Sequence, residues 1–236
     1  MRSRGQDWLV DHLKRDGVVA HSDVERALRQ TDRAHYVDSG IPLAYIYQAG
    51  GLQPADSPLP IGYHETISAP HMHATCLELL RGHLRPGARV LDVGSGSGYL
   101  AAAMGLMVGE AGKVIGIEKH PELAAQSVKN VRADHPELLD NGVVELRAGN
   151  VLGDVLEGEQ EGFDAIHVGA AASSLPDVLV RQLRPGGRMV IPVGPQWEYQ
   201  VMQCIDKDAA GRVKKHDLMH VRYVPLTKPG ESEWEP

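Results

Sequence analysis

VLDVGSGSG (Val90–Gly98) decides the fold. A short apolar run ends in a glycine-rich turn, and a helical pattern follows at once. A strand that stops at such a turn and feeds a helix reads as the start of a βαβ unit, with its strand buried in a parallel sheet. Outward from it the alternation repeats. KVIGIE is strand-like, HPELAAQSVKNVRAD has helical spacing, and VVELRAGN, FDAIHVGA and GGRMVIPVG are strand-like again, with SLPDVLVRQL as a helix between the last two. The expected fold is α/β: a doubly wound, mostly parallel sheet with right-handed crossovers. The tail offers two more strands, YQVMQCID and HVRYVPLT, around Ala210-Gly211. They form an antiparallel edge whose internal order stays open.

Ligands of open parallel sheets bind at the carboxyl ends of the strands, where a glycine turn admits them to the backbone and the next helix offers free amides. A dinucleotide fingerprint needs G-x-G-x-x-G; here the third glycine comes one residue early, at Gly98, and Tyr99 takes its place. No Gly-Lys-Ser/Thr follows, so a P-loop is excluded as well. Asp92 beside the turn would repel a phosphate but suits an ammonium group. Glu118 closes the second strand, placed to accept both hydroxyls of a ribose. Asn150 closes the third, where its amide could meet an adenine edge. A cationic amino acid, a ribose and an adenine together describe S-adenosylmethionine, and the motif resembles those of class I, Rossmann-like methyltransferases.

The first 67 residues read as two helices and a long loop packing on the core, with residues 68–236 as the core itself. The first helix runs roughly over Gln6–Arg15, with Trp8, Leu9 and Leu13 on one side. The second opens on Ser22-Asp-Val-Glu25, a capping box. Residues 39–60 hold Pro42, Pro54, Pro58, Pro60 and Gly50-Gly51 and read as a surface loop. GYHETISAPHMHA (Gly62–Ala74) is then a helix start, with Ser68 as N-cap, Pro70 in the first turn and Met72, Cys76, Leu79 and Leu80 facing inward. His71 and His73 stand two apart and point to opposite sides of a helix, so no metal site is expected.

The chain of 236 residues carries a net charge of −7, a single Phe and no dense Lys/Arg cluster, which argues against a nucleic-acid or membrane-surface binder. The apolar stretch at Leu100–Val108 is too short to span a bilayer. Two cysteines make no disulfide framework, and MRSRGQDWLVDH lacks the apolar core of a signal peptide, so a reducing, cytoplasmic setting is expected. A monomer is expected too, since no long amphipathic surface helix suggests a partner. His167 reads as packed with one hydrogen bond rather than catalytic. His12, His21, His135, His216 and His220 read as surface residues, and Trp197, Glu198 and Tyr199 as part of a rim or of the core.

D-R-A-H-Y (Asp32–Tyr36), T-I-S-A-P-H-M-H-A, D-V-G-S-G-S-G, D-A-I-H-V-G-A-A-A, L-R-P-G-G-R, I-P-V-G-P and Y-V-P-L-T occur in the order found in protein-L-isoaspartate (D-aspartate) O-methyltransferases. The chain resembles that family over nearly its whole length. The resemblance implies methyl transfer from S-adenosyl-L-methionine to the free α-carboxylate of L-isoaspartyl, and also D-aspartyl, residues in damaged proteins and peptides. S-adenosyl-L-homocysteine is left, and the ester collapses to a succinimide that hydrolyses partly to normal aspartate. The resemblance assigns the active-site serine to Ser68, with Thr66, Ile67, Val224 and Leu226 at the substrate. It assigns Ile61, Gly62, Tyr63, His64 and His73 to the segment closing over the cofactor. Asp92, Gly94, Ser95, Gly96, Glu118, Lys119, Asn150, Val151 and Thr227 match cofactor contacts. The family usually has Asp where Asn150 stands, which removes a charge but keeps an acceptor oxygen.

Because a carboxylate nucleophile is already ionised at neutral pH, this reaction needs no strong base. Ser68 is then a positioning donor. Base methylation would want an Asn/Asp-Pro-Pro-aromatic turn where His-Val-Gly-Ala-Ala-Ala stands, and a hydroxyl acceptor would want a general base or metal. A non-catalytic cofactor-sensing domain is the remaining alternative.

Overall fold

The computed structural model describes residues 4–47, 56–153, 155–196 and 198–231. The chain opens with α1 (Arg4–Arg15) and α2 (Ser22–Gln30), a 3-10 turn at Arg33–Tyr36 and α3 (Leu43–Tyr47). A small hairpin of β1 (Leu59–Gly62) and β2 (Glu65–Ile67) leads into α4 (Pro70–Leu80). Then come β3 (Arg89–Val93), α5 (Tyr99–Val108), β4 (Lys113–Glu118), α6 (Pro121–Asp134), α7 (Pro136–Asp140) and β5 (Val144–Ala148). The last elements are β6 (Phe163–Val168), α8 (Asp177–Gln182), β7 (Leu183–Val193), β8 (Gln200–Lys207) and β9 (Val213–Val221).

Seven strands form one sheet in the order β5-β4-β3-β6-β7-β8-β9. All neighbours from β5 to β7 are parallel; β8 runs antiparallel to both β7 and β9. The order reverses between β3 and β6, which opens the crevice at their carboxyl ends where ligands of such sheets bind. Successive residues of each central strand enter two different cores. Val90, Val114, Ala165 and Val190 join α1, α2, α4 and α5 on one face, while Leu91, Ile115, Ile166 and Met189 meet Leu179 of α8 on the other. Burial on both faces makes these strands near-continuous apolar runs in the sequence. Tyr36 and Ile46 from the opening segment lie in the first core beside Leu77 and Leu100.

Five local expectations are corrected. α2 is not closed by a capping box: its N-cap is His21, whose side chain makes no cap bond, and the Glu25 carboxylate holds Lys14 and Arg29. The entry to α2 is gripped from outside, where Glu78 accepts the amides of Ala20 and His21 at 2.8 and 3.0 Å. The 39–60 segment is not all loop, since α3 buries Ile46 and Tyr47; residues 48–55 lie outside the described residues. The last strand covers Val213–Val221 and reaches only the first two residues of HVRYVPLT, because the hairpin from Lys207↔Val213 pairs β8 with the residues just after its turn. Finally, Trp8 sits at the surface, stacked on His12, and His135 is half-buried, with its ring bonded to the Gln30 carbonyl and to Glu137.

Candidate active site

The glycine turn after β3 is built around backbone bonds and one carboxylate. The amides of Gly94 and Ser95 both donate to the Ile117 carbonyl at the end of β4, at 2.8 and 3.1 Å. Gly96 sits at φ 52°, a left-handed conformation that favours glycine, and a Cβ there would come within 3.1 Å of Ile61 Cδ1, so the β1–β2 hairpin packs closely on the turn. Glu118 is buried and braces both sides: Oε2 accepts the Gly96 amide and Oε1 the His120 amide, each at 3.0 Å. Burial raises its pKa, and those two amides oppose the shift. Each oxygen keeps a lone pair for a further donor, as a ribose diol requires.

Behind the turn, Asp92 and His167 face each other in register on β3 and β6, Oδ1 to Nδ1 at 2.7 Å, so the expectation that His167 is packed with a hydrogen bond holds. Burial works against a charged imidazole. The Asp92 and Cys76 hydrogen bonds outweigh it, and the His167 pKa rises to about 10. The other Asp92 oxygen, the Ser95 hydroxyl and His73 Nδ1 are buried without a hydrogen-bond partner. All three residues line a small polar cavity of about 40 Å³ beside Ser68 and Gly94. An unpaired buried carboxylate oxygen next to an unpaired hydroxyl is a poor lining for an empty void and a good one for an ammonium group. The residues fit the amino-acid end of an adenosylmethionine.

The hairpin forms the near wall. At its tip Tyr63 and His64 both hold positive φ, 54° and 61°, the conformation of a tight hairpin turn. The Tyr63 ring stacks on His120, and Glu65 pairs with Lys119 Nζ at 3.2 Å, tying the hairpin to the end of β4. Ser68 does not cap α4. The N-cap is Ala69, Pro70 takes the first turn as expected, and Asp56 accepts the His71 amide at 2.8 Å from a distant segment. With that donor satisfied elsewhere, the Ser68 hydroxyl is left for the cleft. It bears on the Tyr223 phenol, whose pKa burial pushes up and the Ser68 bond partly restores. His71 pairs with Asp56 at 2.9 Å, a bond that raises the imidazole pKa against burial. Inside α4, His73 turns away from the mouth. It stacks on Tyr99 with centroids 4.8 Å apart, and burial holds it well below the usual histidine range.

A cleft of about 600 Å³ joins these parts. Of the residues assigned from sequence, Ile61, Thr66, Ser68, Gly94, Gly96, Glu118, Lys119, Asn150, Val151, Val224, Leu226 and Thr227 line it. Ile67, His73, Asp92 and Ser95 line the inner cavity instead. Gly62, Tyr63 and His64 line neither and form the hairpin tip. Asn150 lines the cleft with its amide already engaged: its oxygen accepts the Leu152 amide and its nitrogen donates to the Thr227 carbonyl, both at 2.9 Å. Sequence reasoning missed Glu65 and Tyr223. Tyr223 opens the block Y-V-P-L-T and Glu65 directly precedes T-I-S-A-P-H-M-H-A, but only the folded hairpin and the returning chain end bring them to the cleft. Glu198 lines the cleft rim and Tyr199 is exposed, whereas Trp197 lies outside the described residues.

A reversed parallel sheet, a glycine turn after its central strand, an acidic residue closing the next and an antiparallel C-terminal edge define a class I, Rossmann-like methyltransferase fold. The protein-L-isoaspartate O-methyltransferase 1 of Arabidopsis thaliana is 47% identical over 93% of this chain and 90% of its own length. The Caenorhabditis elegans protein-L-isoaspartate O-methyltransferase is 42% identical over 96% and 93%. A solved Plasmodium falciparum structure of that same name, in complex with S-adenosyl-L-homocysteine, superposes with a TM-score of 0.83 at 36% identity, covering 95% of this chain and 99% of that one. The chain belongs to the protein-L-isoaspartate(D-aspartate) O-methyltransferase family, whose sequence model matches residues 4–231.

Proposed function

We infer that this protein is an enzyme that methylates the free α-carboxylate of L-isoaspartyl residues in proteins and peptides, with S-adenosyl-L-methionine as donor. The observation that carries the reading is the shared cleft: the glycine turn, Glu118 and Ser68 all line it. When bound, S-adenosyl-L-methionine supplies an electrophilic methyl group on a sulfonium centre. Glu118, held by the Gly96 and His120 amides, is the acceptor for a ribose. The unpaired Asp92 oxygen accepts an ammonium, and Ile61 closes over Gly96 to exclude water.

The substrate carboxylate arrives ionised and needs orientation and desolvation, not deprotonation. Ser68, beside the largely apolar Val224 and Leu226 wall, holds one carboxylate oxygen while the other attacks. Thr66 and Ile67 set the edge along which the peptide lies. The methyl ester is a better electrophile than the carboxylate it replaces. Attack by the following backbone amide nitrogen expels methanol and closes a succinimide, from which water regenerates aspartate in part.

We read the enzyme as a cytoplasmic monomer acting on protein rather than nucleic acid or membrane. The acidic net charge of −7 and the two buried free cysteines support that reading; among the described residues no helix is long and apolar enough to cross a membrane. Tritiated methyl transfer to an isoaspartyl peptide, run against its normal aspartyl twin, tests the activity. Label on the isoaspartyl peptide alone is expected, and equal or absent labelling of the two would overturn it.

A further inference from the structure

After β9 the chain doubles back and becomes the far wall of the cleft. Ala171, just past β6, holds this stretch by two backbone bonds: its amide donates to the Val224 carbonyl and its carbonyl accepts from the Leu226 amide, both at 2.7 Å. Gln200 Oε1 accepts the Tyr223 amide at 3.0 Å. Beyond Leu226 the ladder ends, and the next tie is a side chain: Asn150 Nδ2 donates to the Thr227 carbonyl at 2.9 Å. Thr227 is buried there. The same amide accepts from the Leu152 N–H through Oδ1 at 2.9 Å, which fixes its orientation, since an N–H must face the oxygen and a carbonyl must face the nitrogen.

We propose that Asn150 is a positioning residue that latches the C-terminal wall, Val224–Thr227, onto the loop after β5 and so keeps the donor end of the cleft closed. The proposal rests on the methyl-donor reading for its consequence, not for its geometry. An amide carries its acceptor and its donors on two separate atoms, so it accepts from one backbone N–H and donates to a backbone carbonyl on its other side at once. An ionised aspartate in the same place would still accept from Leu152 but would set a carboxylate oxygen against the Thr227 carbonyl oxygen. Asn150 therefore holds both backbone groups with one side chain. It does work that an aspartate at this position in this chain could not.

Hydrogen exchange of the ligand-free full chain reads the latch directly. Asn150→Asp and Asn150→Ala should each speed exchange of amides in the 223–231 segment by roughly tenfold, the effect of losing one bond from a locally opening unit. Amides of β3 and β4 in the same samples serve as the internal control for folding. Thr227→Ala, which keeps the backbone carbonyl, should leave that protection in place. In steady-state assays Asn150→Asp should raise KM for S-adenosyl-L-methionine about tenfold and move kcat much less, with Asn150→Ala no worse than Asn150→Asp. Unchanged exchange in Asn150→Asp, or tighter donor binding by it, overturns the latch. Failure of the wild-type chain to methylate any isoaspartyl peptide would instead strike the functional reading and leave the exchange result standing.

Discussion

His167 Nδ1 stands 2.7 Å from Asp92 Oδ1, the two residues paired in register on adjacent parallel strands and both buried. A pKa of about 10 makes the imidazole cationic at neutral pH, so a cation already backs Asp92 where it lines the inner cavity. A histidine raised in the folded state gives stability that is complete below its unfolded pKa of about 6.5 and is lost as pH climbs through the folded value. Between those limits the protein should lose about 1.4 kcal/mol per pH unit from this group. Urea unfolding at pH 7 and pH 9 should therefore show a steeper decline in the wild type than in His167→Gln, where the side chain can still donate to Asp92 but no longer titrates. Parallel slopes in the two proteins would show that the imidazole is not held as a cation.

Ser68 is expected to act on substrate and not on donor. A hydroxyl bonded to a carboxylate contributes about 1.5–3 kcal/mol, so Ser68→Ala should lower kcat/KM for an isoaspartyl peptide by roughly 10- to 100-fold. The KM for S-adenosyl-L-methionine should stay within about twofold, because the donor's expected partners Glu118 and Asp92 are untouched. Helix stability should also hold, since α4 takes its N-cap from Ala69 and its outside acceptor from Asp56. Unchanged peptide kinetics would refute the role.

Gly98 tests how tightly the first helix after the turn is seated. It sits at φ 86°, and a Cβ there would lie 3.1 Å from Val131 Cγ2 and 3.3 Å from Ser127 Cβ on α6. Gly211 has a similar φ of 80° with nothing within 4 Å. Gly211→Ala should therefore cost about 1–2 kcal/mol, the backbone penalty alone, and Gly98→Ala that penalty plus about 1–3 kcal/mol of crowding. Equal midpoints in urea would mean that α6 moves aside without cost.

The central strands were legible because the sheet is buried on both faces. Val90 and Leu91 face different cores, so neither could be polar, and the apolar run marks the strand without needing a period. β9 hid because eight of its nine residues are exposed, which removes the pattern that burial would impose. Its place follows instead from the turn before it. The capping errors share another cause: Glu78 and Asp56 reach their amides from 57 and 15 residues away, and no local window holds both partners. At the site, residue types announced Asp92 and Glu118. Side-chain direction was not announced: His73 stacks on Tyr99 while lining the inner cavity, and Asn150 lines the cleft with its amide bonded to Leu152 and Thr227.

The distant grip on α2 gives a direct contrast between a local and a long-range reading. Ser22 was expected to hold the Glu25 amide, but that amide donates to the His21 carbonyl at 3.0 Å, and no cap bond comes from the Ser22 hydroxyl. Ser22→Ala should accordingly change stability by less than about 0.5 kcal/mol, as expected of a surface site without a special role. Glu78 accepts two backbone amides and also meets His21 Nδ1 at 2.6 Å, joining α4 to the start of α2. Glu78→Ala leaves both amides without that acceptor and should cost about 1–3 kcal/mol. Glu78→Gln keeps an acceptor oxygen and should recover part of the loss. If the serine variant proves the more damaging of the two in thermal and urea unfolding, α2 is capped locally after all and the long-range grip is incidental.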